Sequence, residues 1–153
     1  VVISSVAKNV PADKALDYVY GYTQCWDISI RDPWGRNHNT RNIRKGFDTF
    51  CGVGPWIVTR DEIADPYALQ MAVRVNGVER QRCTAAGMQH SIASCIAFVS
   101  RNETLYPGEV LAMGTVGNGC GYESLSFLSA GDVVEIEADH IGTLRNRLVR
   151  HPA

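Results

Sequence analysis

Leu69-Gln70-Met71-Ala72-Val73-Arg74-Val75-Asn76-Gly77-Val78-Glu79-Arg80-Gln81-Arg82-Cys83 is the stretch that decides the fold. Leu69, Met71, Val73 and Val75 alternate with Gln70, Ala72 and Arg74, and a period of two marks a strand with one buried face. Asn76-Gly77 follows, a pair that tolerates positive φ, so it predicts a type I′ hairpin returning the chain from Val78 to Cys83. Upstream, β-branched content predicts a strand over residues 1–6. Pro11 opens a short helix with Ala15, Leu16, Val19 and Tyr20 at helical spacing, and Gly21 ends it. Residues 55–59 read as a strand. Downstream, Met88, Ile92, Cys95, Ile96 and Val99 mark the apolar face of a second helix, with Ser91 as its N-cap. Pro107-Gly108 turns into a strand over 109–113, and Ala130-Gly131 leads into another over 132–137. A last strand covers 144–149. Many short strands with two helices predict an α+β, predominantly β fold, organised as one domain over residues 1–153.

The bulk composition removes several function classes. The chain has 153 residues, 45% hydrophobic and 20% charged, with a net charge of −1. Such a balance gives no electrostatic footing for nucleic acid or an anionic membrane. No apolar run reaches the roughly 18 residues of a membrane span, and no signal peptide is visible. Cys25, Cys51, Cys83, Cys95 and Cys120 are odd in number and widely spaced, so they predict neither a disulfide framework nor a zinc site but mostly small buried hydrophobes. The expected compartment is the cytoplasm. The chain opens on Val1-Val2-Ile3 without a methionine, which predicts that residues ahead of it were removed or left out.

Three segments carry chemistry. The first is Gly21-Tyr22-Thr23 followed by Trp26-Asp27-Ile28-Ser29-Ile30-Arg31-Asp32. Asp27 and Arg31, four apart, share a face in a helix or a strand, but only a helical turn brings both within reach of one small ligand, since four strand residues span roughly 13 Å. Taken alone, such a pair is most often a solvated ion pair. The second segment is Lys45-Gly46-Phe47-Asp48-Thr49-Phe50, in which the lysine alone would be a surface charge and Asp48 a tie for the backbone turn. The third is Met113-Gly114-Thr115-Val116-Gly117-Asn118-Gly119, where glycines admit close approach and the threonine offers an amide and a hydroxyl to a carboxylate. No dinucleotide register is present, and no Gly-x-Ser-x-Gly elbow. His38, His90, His140 and His151 have no ligand spacing and read as structural or surface residues.

In this order the three segments resemble the catalytic, C-terminal domain of the fumarylacetoacetate hydrolase family, over nearly the whole chain. The resemblance implies a mixed β-sandwich or roll. It implies Asp27 as a metal ligand and Arg31, Lys45 and Thr115 as catalytic groups. Arg31, Trp34, Lys45, Gly114 and Thr115 become the substrate-binding set. It further implies a homodimer and a divalent cation, Mg²⁺ or else Mn²⁺ or Ca²⁺, acting as a Lewis acid on a small keto-acid.

The chain departs from the family pattern at four points. Trp26 replaces an asparagine, Trp34 a substrate-binding glutamine and Val116 a proline. A Glu-x-Glu pair that precedes Gly-Tyr-Thr is absent, so the fold is expected to be N-terminally incomplete and the cation weakly held or absent. Glu135 and Glu137 share a strand face and offer an alternative pair, but their segment matches a family strand whose glutamates are not ligands. The polar, basic residues 35–41 could replace lost substrate contacts or be a solvated loop. The expected function is a metal-dependent enzyme acting on a 2-oxo or 1,3-dioxo acid through an enolate. Isomerisation or decarboxylation of an unsaturated dicarboxylate from aromatic catabolism is preferred to C–C hydrolysis. The alternative is a non-catalytic binding or assembly module.

Overall fold

The computed structural model describes residues 1–31, 44–115, 117 and 119–150. Two antiparallel sheets dominate it. The first contains β1 (Val2–Ile3), β2 (Val19–Cys25) and β3 (Val53–Thr59), in that order. The second runs β5-β4-β6-β7, with β4 at Gln70–Val75, β5 at Val78–Thr84, β6 at Val133–Ala138 and β7 at Gly142–Arg147. A 3-10 helix (Ala12–Tyr18) and the α-helix α1 (Ile92–Asn102) pack on each other beside the first sheet. The fold is therefore α+β and mostly β, as the patterning predicts.

The central hairpin forms at the expected turn. Asn76 and Gly77 take φ values of 52° and 79°, both positive as a type I′ turn requires, and Val75 pairs with Val78. The alternating face behaves differently from a closed core. Ala72 is the buried residue of β4, while Met71, Val73 and Val75 are half-buried along an open groove of about 1630 Å³ between the sheets. Their apolar side chains line space in which an organic molecule can lie.

Other expectations shift for identifiable reasons. Gly21 lies inside β2 instead of ending a helix, because a Cβ there would stand 2.2 Å from the Val58 carbonyl oxygen. Val19 and Tyr20 belong to the same strand, so the first helix is a short 3-10 turn. Ser91 does cap α1, its hydroxyl accepting from Ser94 N–H at 3.1 Å, a contact worth about 1 kcal/mol. Residues 109–113 form no strand. They meet the chain start through a bridge, Val2 to Val110, and through bonds from Ile3 N–H to Glu109 C=O and from Leu111 N–H to Val1 C=O, each at 2.9 Å. The first strand is likewise cut to Val2–Ile3, and β7 begins two residues before the expected Leu144.

Two apolar clusters hold the layers. Ile3, Ala7, Val19, Ile92, Ile96 and Leu105 join the first sheet to the helices. Trp26, Val134 and Leu144 form the second, between the end of β2 and the β6–β7 hairpin. The Gln24 amide adds a tie to Gly142 C=O at 2.8 Å. Among the described residues no helix is long and apolar enough to cross a membrane.

Candidate active site

The β2–β3 ladder does not stop at Cys25. Cys25 pairs with Val53, and the same register continues through Trp26 N–H to Gly52 C=O at 2.8 Å and Ile28 N–H to Phe50 C=O at 3.4 Å. Ile30 N–H then reaches Arg44 C=O at 3.1 Å. Asp27 and Arg31 thus lie on extended backbone and not on the helical turn that would bring them to one small ligand. Four extended residues set them roughly 13 Å apart. Trp26 turns inward to the second cluster, which anchors its neighbour Asp27 at the groove.

At the near end, Lys45 donates from Nζ to Asp27 Oδ1 and to Ser29 Oγ, the latter at 2.9 Å. Asp27 is 65% exposed and Lys45 42%, so this pair adds about 0–1 kcal/mol to stability, and its charges stay available to a ligand. The register also sets Cys51 opposite Asp27. Burial first, and then Cys51 and Asp27 nearby, push the Cys25 thiol above its ordinary value.

At the far end, Arg31 Nη2 donates to Cys120 Sγ at 3.4 Å, and its guanidinium carbon lies 5.7 Å from the centre of the Tyr122 ring. Cys120 and Tyr122 belong to a knuckle closed on itself. Glu123 N–H reaches Cys120 C=O, Cys120 N–H reaches the Glu123 carboxylate and Ser126 N–H reaches Gly121 C=O, each at 2.9 Å. This knuckle directly follows the glycine-rich loop. Gly114 holds φ 99° with open space around it, and Gly114 and Thr115 line the groove with Asp27, Ser29 and Arg31. Gln81 on β5 presses its amide on Gly119, where a Cβ would stand 1.9 Å from Nε2.

The structure therefore brings Asp27, Arg31, Gly114 and Thr115 to one groove, with Lys45 beside it on Asp27 and Ser29. Trp34, the basic residues 35–41, His38, Val116, Asn118 and His151 lie outside the described residues. Asp48 lies exposed in a turn closed by Phe50 N–H to Phe47 C=O at 3.1 Å. Glu135 and Glu137 face away from the groove, engaged by Arg145 and Arg74. Ser29, Gln81, Cys120 and Tyr122 are site residues that the sequence patterning did not single out. Ser29 stands inside the first of the three segments, whereas Cys120 is one of five cysteines read as mostly buried and is half-buried at the site. All five cysteines are free, none is buried and Cys51 is exposed.

A divalent cation finds only part of a coordination shell here. Among the described residues no three His, Cys, Asp or Glu side chains are grouped to hold a metal. Asp27 offers one carboxylate, and one of its oxygens accepts from Lys45. These residues do not make a metal centre by themselves.

Comparison with known proteins gives a consistent result. The model of the family described as fumarylacetoacetate (FAA) hydrolase C-terminal matches residues 1–149. A mitochondrial oxaloacetate tautomerase of Rattus norvegicus is 40% identical over 150 residues, covering 97% of this chain and 48% of the relative. A 5-carboxymethyl-2-hydroxymuconate delta-isomerase from Mycobacterium smegmatis superposes with TM-score 0.88 at 38% identity, over 99% of this chain and 57% of that one. A maleylpyruvate hydrolase from Sphingobium sp. SYK-6, in complex with manganese(II) and pyruvate, superposes with TM-score 0.84 at 33% identity, over 97% of this chain and 51% of that one. The chain spans about half the length of the curated relatives it matches.

Proposed function

Because the chain belongs to the fumarylacetoacetate hydrolase family, we propose that it is the catalytic part of a metal-dependent enzyme acting on a 2-oxo or 1,3-dioxo carboxylic acid through an enolate. The observation that carries this reading is the Lys45 ammonium, held by Asp27 and Ser29 beside the groove that Gly114 and Thr115 line. An ammonium so placed stabilises the negative charge that develops on the keto oxygen when a carbon–hydrogen or carbon–carbon bond next to it breaks. The amide and hydroxyl of Thr115 bind the adjacent carboxylate, with Gly114 letting it approach. Arg31, roughly 13 Å along the extended segment from Asp27, pairs with a second anionic group. Such a spread suits an elongated dicarboxylate better than a short acid, and the half-buried Met71, Val73 and Val75 suit an unsaturated stem.

Isomerisation or decarboxylation of an unsaturated 2-oxo dicarboxylate is thus preferred to hydrolysis of an acylpyruvate. A cation belongs to this proposal because the hydrolase relative binds manganese with pyruvate, and Mg²⁺, Mn²⁺ or Ca²⁺ would each meet the Asp27 carboxylate. Its other ligands would come from outside the described residues. The proposed setting is cytoplasmic, as a homodimer, with one domain over residues 1–153. An ultraviolet assay with added Mg²⁺ or Mn²⁺ tests the reading, with kcat/KM expected to be higher for an unsaturated 2-oxo dicarboxylate than for an acylpyruvate of similar length. Equal or faster turnover of the acylpyruvate would make hydrolysis the better assignment. On residues 1–153 alone, calorimetry should give no saturable binding at micromolar Mg²⁺ or Mn²⁺, and a tight one-to-one isotherm would refute the incomplete shell.

A further inference from the structure

Arg31 does not extend freely into solvent, and what holds it has no counterpart in the proposed chemistry. Its guanidinium donates to Cys120 Sγ at 3.4 Å and lies over the face of Tyr122 at 5.7 Å. Both contacts come from one knuckle, whose backbone is fixed by its own hydrogen bonds and by the close approach of Gly121 to Ser126 C=O, 2.4 Å from where a Cβ would stand. A long arginine side chain loses rotamer freedom when it grips an anion, and that cost falls on the binding step unless the side chain is ordered beforehand. An aromatic face and a sulfur acceptor order it while leaving donors of the five-donor fork for a carboxylate.

We propose that Tyr122 and Cys120 are positioning residues, which hold the Arg31 guanidinium ready for the distal carboxylate of an elongated dianionic substrate. This rests on the reading of Arg31 as the residue that meets that carboxylate. The knuckle begins one residue after Gly119, so the same short segment sets both the loop around Thr115 and the arginine. The ring supplies the effect, not the phenol hydroxyl, because the contact is to the aromatic face.

The test uses steady-state kinetics on the active, metal-supplemented protein and thiol footprinting on the same protein. Tyr122→Leu should raise KM for the dicarboxylate about fivefold with kcat changed less than about twofold, as expected when a cation–π interaction is removed from an open site. Tyr122→Phe keeps the ring and should bring KM back to within about twofold of the parent. Cys120→Ala should raise KM about twofold. In the footprint, millimolar maleate should slow iodoacetamide labelling of Cys120 but not of Cys95, and Arg31→Ala should abolish that protection.

The outcomes separate two failures. If Arg31→Ala raises KM while Tyr122→Leu and Cys120→Ala do not, the positioning role is overturned and the reading of Arg31 stands. If Arg31→Ala leaves both KM and the footprint unchanged, the reading of Arg31 itself falls. Equal losses in Tyr122→Leu and Tyr122→Phe would also overturn the proposal, since the hydroxyl would then be responsible. Should Tyr122→Leu fail to fold, the smaller Cys120→Ala change and the footprint of the parent protein still decide.

Discussion

Asp27 and Arg31 stand four residues apart on one extended segment, yet their partners come from opposite parts of the chain. Asp27 lies on the continuing β ladder and is met by Lys45, 18 residues on, from helical residues 44–45. Arg31 is met by Cys120, 89 residues on, from a knuckle that no strand pairing fixes to it. Among the described residues, Asp27 is placed by backbone hydrogen bonds and a charge pair, and Arg31 is met by side-chain contacts from the knuckle. Two consequences follow for function. On the proposed function, charge stabilisation falls to Lys45 at Asp27, and recognition of a distal group falls to Arg31 with its knuckle.

Substitutions can break this division, and Lys45→Ala should do the most. In an active preparation kcat is expected to fall about a hundredfold, with Tm moving by less than about 2 °C, because an exposed pair contributes little to folding. A large fall in Tm with kcat unchanged would assign Lys45 to structure and remove the near end from the chemistry. Gly21→Ala comes next and strikes the shared support. Its Cβ would push on the Val58 carbonyl, an overpacking that should lower Tm by about 5–10 °C by differential scanning calorimetry. Thermal unfolding indistinguishable from the parent would mean that β2 can move away from β3 at no cost.

Gly119→Ala sharpens the comparison from the far side. The new methyl displaces the Gln81 amide, a flexible end, so the expected effect is a KM rise of about threefold with little change in kcat or Tm. A loss in kcat alone would tie Gln81 to the chemical step. The smallest effect belongs to Asp132, in the turn before β6. The Ser129 N–H first, and then the Asn76 amide, hold its carboxyl below the usual carboxylate range. A depressed folded-state value stabilises the fold above the unfolded value near pH 4 and loses that effect as pH falls through the folded value. Asp132→Asn should therefore flatten the acid limb of Tm against pH, leaving kinetics at neutral pH unchanged. An unaltered acid limb would show that the bonds seen at Asp132 carry no linkage.

How far the sequence could be read differs between the same two ends. The hairpin at Asn76-Gly77, the capped helix from Ile92 and the strand before Ala138 were legible because each rests on a local rule of period or φ. Asp27 and Lys45 could be picked out because both fall inside short motifs, and the structure joins them in an ion pair, while Ser29 was passed over within the same motif. Gly21 was misread because a glycine needed for close approach of Val58 looks, in sequence, like one that ends a helix. The extended path from Asp27 to Arg31 was open for want of a periodic signal there. It is set by pairing with Phe50 and Gly52 across a long connection. The grip of Cys120 and Tyr122 on Arg31 had no signal, because a contact across 89 residues leaves no spacing to read.

The second sheet has an implication in time. Its two hairpins, β4–β5 and β6–β7, each close over a short turn, whereas the ladder joining them pairs Val75 with Val134 and so must wait for the intervening chain. Hairpins form in about 1–10 microseconds, but non-local pairing carries the loop-closure entropy and sets the slower rate. The knuckle at Cys120 lies within that intervening chain, so its contact with Arg31 is expected to form with or after that ladder. A refolding molecule thus recovers its helix and hairpin signals first, then the cross-hairpin ladder, and acquires a poised Arg31 last.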